Sequence, residues 1–226
     1  MLRRGRRDVR ARLLVSNHRN MTDAVLHGVL HHPAFLARED VFASFAFGPV
    51  LAFTRSLPVS KVATNAGVRR ELAALAREHP VVCCAEGTTS AEHCVIRLRP
   101  GALECGLRVQ PVVIRYRTAR PASWLTESGP RHLAEMAANF GIAVVRYLDV
   151  VERETPDQLG KRIADALGVP YLPYSNRDYE YFSGHCSDAG RCTKEYLRDF
   201  GWMGTIDDYK RMCSSAGLNP RYQWSR

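Results

Sequence analysis

Residues 13–30 read LLVSNHRNMTDAVLHGVL, an apolar run, a polar turn and then an apolar pattern at helical spacing. That order predicts a strand, a tight connection and a helix, which is the repeating unit of an α/β fold. His18 falls just after the strand and Asp23 five residues later, where the helix begins. A turn of this length can return the carboxylate to the imidazole. An aspartate that accepts a hydrogen bond from one ring nitrogen fixes the tautomer and leaves the other nitrogen to take a proton, as a general base must. A satisfied structural histidine would show the same spacing.

Further β-type runs recur at Arg12 to Ser16, Leu57 to Val62, Val81 to Ala85, Val109 to Arg115 and Ile142 to Val151. Helical patterns lie between several of them. In VRRELAALAREH the residues Val68, Leu72, Leu75 and Ala76 share one face, and in RHLAEMAANF so do Leu133, Met136, Ala137 and Phe140. The segment from Pro156 to Leu167 is the best punctuated, with Thr155 as its cap, proline in the first turn and Gly168 to end it. Alternation of this kind predicts a largely parallel central sheet flanked by helices. With 226 residues and 25.4 kDa, the chain has room for one such domain and not for two full ones. The expected division is a basic segment over 1–12, the α/β domain over 13–173 and a C-terminal extension over 174–226, where periodicity weakens and tyrosines accumulate.

The stretch VFASFAFGPVLAFT, Val41 to Thr54, is the longest uncharged apolar run. It is shorter than the roughly 20 residues a spanning helix needs, and Gly48 and Pro49 interrupt it. A buried core helix or one lying in a membrane interface is expected there instead. Lys and Arg number 32 against 23 Asp and Glu, a net charge of +9, so a partner carrying negative charge is expected. Arg3, Arg4, Arg6, Arg7, Arg10 and Arg12 concentrate that charge against Asp8 alone, which suits either a solvated terminus or anionic lipid headgroups. No zinc-finger spacing and no aromatic-bearing RNA-recognition motif accompanies the charge, so nucleic acid is not the expected partner. Neither a signal-peptide pattern nor a disulfide framework is present, and the seven cysteines are expected to be reduced. His185, Cys186, Cys192 and Cys213 could gather a zinc ion in principle, but without a Cys-x-x-Cys pair no metal site is assigned.

A second chemical candidate is VVCCAEGTTS, residues 81–90, where an apolar strand ends at Glu86-Gly87-Thr88-Thr89-Ser90. Glycine there permits close backbone approach, and hydroxyls with free amides can hold a phosphate. Glu86 could bind a substrate hydroxyl or simply orient the turn.

His18 to Asp23 followed by Glu86-Gly87-Thr88-Thr89-Ser90 resembles the His-x4-Asp and Glu-Gly-Thr motifs of the glycerolipid acyltransferase superfamily. SLPVSK (56–61) and VQPVVIRY (109–116) resemble its intervening and last motifs, and CVIRLRPGAL (94–103) is most similar to the lysophosphatidylcholine and lysophosphatidylethanolamine acyltransferase branch. The resemblance spans 13 to about 170 and rests on order and spacing together. It implies that His18 removes the proton from an acceptor hydroxyl as that oxygen attacks a thioester carbonyl, with Asp23 orienting the imidazole. It implies no covalent acyl-enzyme, so Cys83, Cys84 and Ser90 need not be nucleophiles. Glu86, Gly87 and Thr88 match the acceptor-binding motif. Lys61 stands where the family usually has an acceptor-contacting arginine, Ser56 where it usually has a glycine, and Ala85 where a proline commonly precedes the glutamate. Lys61 supplies charge but not two-pronged hydrogen bonding. Arg97 and Arg99 are candidates for coenzyme A or phospholipid phosphates, and a solvated basic face would account for them equally.

The activity so implied is transfer of a fatty acyl group from acyl-CoA, a co-substrate with no cofactor bound, to the hydroxyl of a lysophospholipid, at a phospholipid membrane surface. The cytosolic face of the endoplasmic reticulum or another endomembrane is the expected location. Lysophosphatidate or glycerol 3-phosphate as acceptor, and a catalytically weak lipid-binding protein on the same fold, remain open at this point.

Overall fold

The computed structural model describes residues 1–43, 48–59, 66–90, 92, 94–119 and 129–172. The sequence readings at Lys61, in the C-terminal extension and at its cysteines lie outside the described residues.

A seven-stranded sheet organises the chain. Its strands are β1 (Leu2–Arg4), β2 (Leu13–Ser16), β3 (Ala34–Arg38), β4 (Leu57–Val59), β5 (Val81–Cys84), β7 (Val109–Thr118) and β8 (Gly141–Tyr147), in the order β1-β8-β7-β2-β5-β3-β4. Every neighbouring pair is parallel except β7 with β8. A small second sheet pairs β6 (Val95–Ile96) with β9 (Tyr171–Leu172). The helices are α1 (Thr22–His31), α2 (Glu39–Phe42), α3 (Gly48–Phe53), α4 (Ala66–Glu78), α5 (Gly129–Ala137) and α6 (Pro156–Leu167), with a 3₁₀ turn at Pro100–Cys105.

Both sheet faces are covered in the middle, which is why β2 reads as an uninterrupted apolar run. Leu13, Val15, Val81 and Val113 pack with Leu72 of α4 and with Leu159 and Ile163 of α6. On the other face Leu14, Val82, Val112 and Ile114 pack with Leu26 and Leu30 of α1. The helix at 156–167 ends as its sequence predicts. The Thr155 hydroxyl accepts the Gln158 N–H, the Gln158 side chain accepts the Thr155 N–H, and Gly168 closes the helix at φ 67°.

Several local expectations are corrected. The run at 41–54 is not one helix: α2 ends at Phe42 and α3 starts at Gly48, with Phe53 89% exposed. Phe140 lies beyond α5 and is 86% exposed rather than on its buried face. The strand expected from Ile142 to Val151 stops at Tyr147, after which Val151 makes a single bridge to Val109. Part of the basic 1–12 segment is β1, an edge strand paired with Val144 to Arg146. No described helix is long and apolar enough to cross a membrane.

Candidate active site

The carboxyl ends of β2 and β5 lie side by side, because Ser16 pairs with Cys84. Each chain leaves the sheet there, one into residues 17–21 and the other into 85–90, and open α/β sheets expose their chemistry at such strand ends. Asn17 extends the pairing with its side chain. Its Nδ2 donates to the Ile114 carbonyl at 2.9 Å and its Oδ1 accepts the Ile114 N–H at 2.8 Å. This buried clamp fixes the backbone immediately before His18.

His18 and Asp23 meet as the spacing predicts, with Nδ1 2.9 Å from Oδ2. The Asp23 carboxylate is fully buried and accepts three further bonds: the Arg19 N–H at 2.6 Å, the Asn20 N–H at 3.0 Å and the Tyr116 hydroxyl at 2.6 Å. Burial alone would raise its pKa, but bonds from His18, Tyr116 and Asn20 hold it below the ordinary carboxylate range. Tyr116 is pushed far up by burial and then by Asp23, so it remains a donor. For His18, burial opposes the imidazolium, yet the neighbouring Cys84 sulfur and the Asp23 carboxylate outweigh it and raise the pKa well above 6.5. With Nδ1–H committed to Asp23, Nε2 is the nitrogen left to take a proton. The His18 side chain is 26% exposed, enough for a substrate hydroxyl to approach.

Glu86 stands on the second loop, between His18 and Ile96. It is fully buried, and its two oxygens accept the His18 N–H at 3.0 Å and the Ile96 N–H at 3.2 Å. The Arg19 guanidinium stands 3.8 Å from the same carboxylate, donates to the Cys94 carbonyl at 2.9 Å and bonds the Ser90 hydroxyl. Ser90 in turn donates its N–H to the His18 carbonyl at 2.8 Å. The two loops are therefore one hydrogen-bonded body, with Glu86 as its internal bracket.

Gly87 has φ 75°, and a Cβ built on it would lie 2.9 Å from Arg99 Nε. The Arg99 side chain thus lies directly against the glycine, while its N–H bonds the Ala85 carbonyl at 2.7 Å. Thr88 follows, half-buried at the same turn. Arg97 is engaged elsewhere, 3.5 Å from Asp157 of α6. Ser56 serves the fold: its hydroxyl accepts the Phe35 N–H at 2.9 Å and bonds Thr54 at 2.8 Å. Cys83 is pushed up to about 12 by burial, which leaves its thiol protonated and unreactive. Among the described residues no group of three or more His, Cys, Asp or Glu could hold a metal ion.

Asn17, Arg19 and Tyr116 were not singled out from the sequence. Asn17 and Arg19 flank His18, which was a usable signal, but the partner of Tyr116 lies 93 residues away.

Comparison with known proteins gives a consistent picture. Residues 4–115 match the family described as Acyltransferase. A lysophosphatidylcholine acyltransferase of Drosophila melanogaster is 26% identical over 185 residues, which cover 74% of this chain and 35% of that protein. The chain thus spans about a third of the length of this curated relative. The crystal structure of the 1-acyl-sn-glycerophosphate (LPA) acyltransferase PlsC from Thermotoga maritima superposes with a TM-score of 0.50 at 20% identity, covering 83% of this chain and 73% of that one. The likeness extends to the mixed α/β fold with its mostly parallel sheet.

Proposed function

Since the chain belongs to the acyltransferase family matched over residues 4–115, we propose that it transfers a fatty acyl group from acyl-CoA to the free hydroxyl of a lysophospholipid. His18 Nε2 accepts the hydroxyl proton as the oxygen attacks the thioester carbonyl. The tetrahedral intermediate collapses, the carbon–sulfur bond breaks, and the proton passes from His18 to the departing coenzyme A sulfur. Asp23 holds the tautomer and stabilises the transient imidazolium. No resident cofactor enters this scheme.

The observation that carries the reading is the 2.9 Å His18–Asp23 bond at the carboxyl end of β2. Among the described residues Arg99, beside Gly87, is a cation placed to meet a substrate phosphate. The acceptor we propose is of the lysophosphatidylcholine or lysophosphatidylethanolamine type, and the name of the Drosophila lysophosphatidylcholine acyltransferase supports the first of these. We place the reaction at a cytosolic endomembrane surface.

Purified protein should release free thiol from acyl-CoA only when a lysophospholipid is present. His18→Ala should remove that release, by about 10²–10⁴-fold, with an unchanged circular dichroism spectrum. Equal turnover by the variant would reject the mechanism. A panel including lysophosphatidate and glycerol 3-phosphate decides the acceptor.

A further inference from the structure

Strand register places a second feature at the His18 end of the sheet. In β7 the residues Val113, Arg115 and Arg117 alternate to one face, and the antiparallel pairing sets Arg146, Val144 and Ile142 opposite them. β1 continues that face with Leu2 beside Val144 and Arg4 beside Arg146, because residues paired across strands point the same way. β7 runs parallel to β2 with Val112 beside Ser16. Arg115 and Arg117 therefore lie past the end of β2, and Tyr116 between them reaches Asp23.

This face combines two properties that soluble surfaces keep apart. Leu2 is 49% exposed and Ile142 45%, and Phe140, one residue before β8, is also exposed. Around them Arg4, Arg115, Arg117 and Arg146 are all exposed. Among the described residues none of these four arginines pairs with a carboxylate. Arginines alone would suit any polyanion, and an apolar patch alone would suit a protein. Apolar side chains ringed by unpaired guanidinium groups suit a surface that is negative outside and hydrocarbon beneath.

We propose that this face seats the protein on an anionic lipid bilayer, with the reaction centre held at the headgroup layer. The choice of a bilayer over a protein partner rests on the acyltransferase reading, but the binding itself does not require turnover.

Full-length protein should co-sediment with phosphatidylcholine vesicles containing phosphatidylserine, and less with phosphatidylcholine alone or at high salt. Arg115→Glu, Arg117→Glu and Arg146→Glu combined should weaken that binding by about tenfold or more. Phe140→Ser with Ile142→Ser should weaken it similarly while keeping the salt dependence. Both variants should match the parent in melting temperature and in turnover of short-chain, water-soluble substrates. If the charge reversals unfold the protein, Arg117→Gln with Arg146→Gln gives the same comparison on a milder change. The proposal is overturned if the parent ignores anionic vesicles, if folded variants bind as the parent does, or if the apolar variant only abolishes self-association. Vesicle binding without any turnover would instead remove the activity reading and leave this surface standing.

Discussion

The Glu86 carboxylate accepts the backbone N–H of His18 at 3.0 Å, so the loop after β5 sets the position of the imidazole proposed as the base. Its other oxygen holds Ile96 N–H and its charge is met by Arg19. Fully buried and with one backbone N–H on each oxygen, the carboxylate ties the two loops together.

Glu86→Gln tests that role. The amide can keep one of the two N–H bonds, but its NH₂ then faces a donor. A buried donor left unmet costs about 1–3 kcal/mol, and misplacing a base by even 1 Å can cost roughly 10²-fold. We expect kcat to fall about 10–100-fold with the acceptor KM nearly unchanged. A raised acceptor KM with kcat preserved would instead make Glu86 a substrate ligand.

Asp23→Asn should change the pH profile in a defined direction. His18 must be neutral to accept a proton, and its pKa stands well above 6.5, so turnover should rise as pH climbs through that raised value. Without the carboxylate the imidazolium loses a stabilising partner, and burial is opposed by Cys84 without Asp23. The acid limb then moves to lower pH while the plateau drops. The linkage sign agrees: a raised histidine pKa stabilises the fold fully below the unfolded value near 6.5 and fades as pH passes the folded value. An acid limb that stays in place in Asp23→Asn would remove the assigned pairing.

Tyr116→Phe should move the same limb the other way. Loss of the 2.6 Å hydroxyl bond leaves the Asp23 charge less shared, which raises the His18 pKa further. Hydrogen bonds to charged groups are worth about 1.5–3 kcal/mol, so a lower melting temperature should accompany the shift. A lower melting temperature with an unmoved pH profile would make Tyr116 a fold residue alone.

What the sequence disclosed follows from distance along the chain. The His18–Asp23 pair spans five residues and could be read from one turn. The helix at Pro156 also signals locally, through Thr155, Gln158 and Gly168. Glu86 was legible as a motif residue but not as a bracket, since its partners His18 and Ile96 lie 68 and 10 residues off. Parallel register alone brings those ends together. β1 is not legible in the sequence, because Arg3 and Arg4 suit a solvated terminus or anionic headgroups and an edge strand needs no apolar alternation when one side stays open to water. The spacing puts Phe140 on a helix face, whereas α5 stops at Ala137 and the aromatic is exposed.

Gly87→Ala joins backbone strain to substrate binding. At φ 75° a residue with a Cβ costs about 1–2 kcal/mol, and here that atom would meet Arg99 Nε at 2.9 Å. The guanidinium is on a flexible stem, so the contact is relieved by swinging Arg99 away rather than by unfolding the loop. If Arg99 meets a substrate phosphate, Gly87→Ala and Arg99→Ala should each raise KM for the same substrate. Their combination should add little beyond the larger single effect, because both remove one interaction. Fully additive losses would mean that Gly87 acts on the backbone approach of substrate independently of Arg99. An unchanged KM in Arg99→Ala would take the phosphate contact away from that residue.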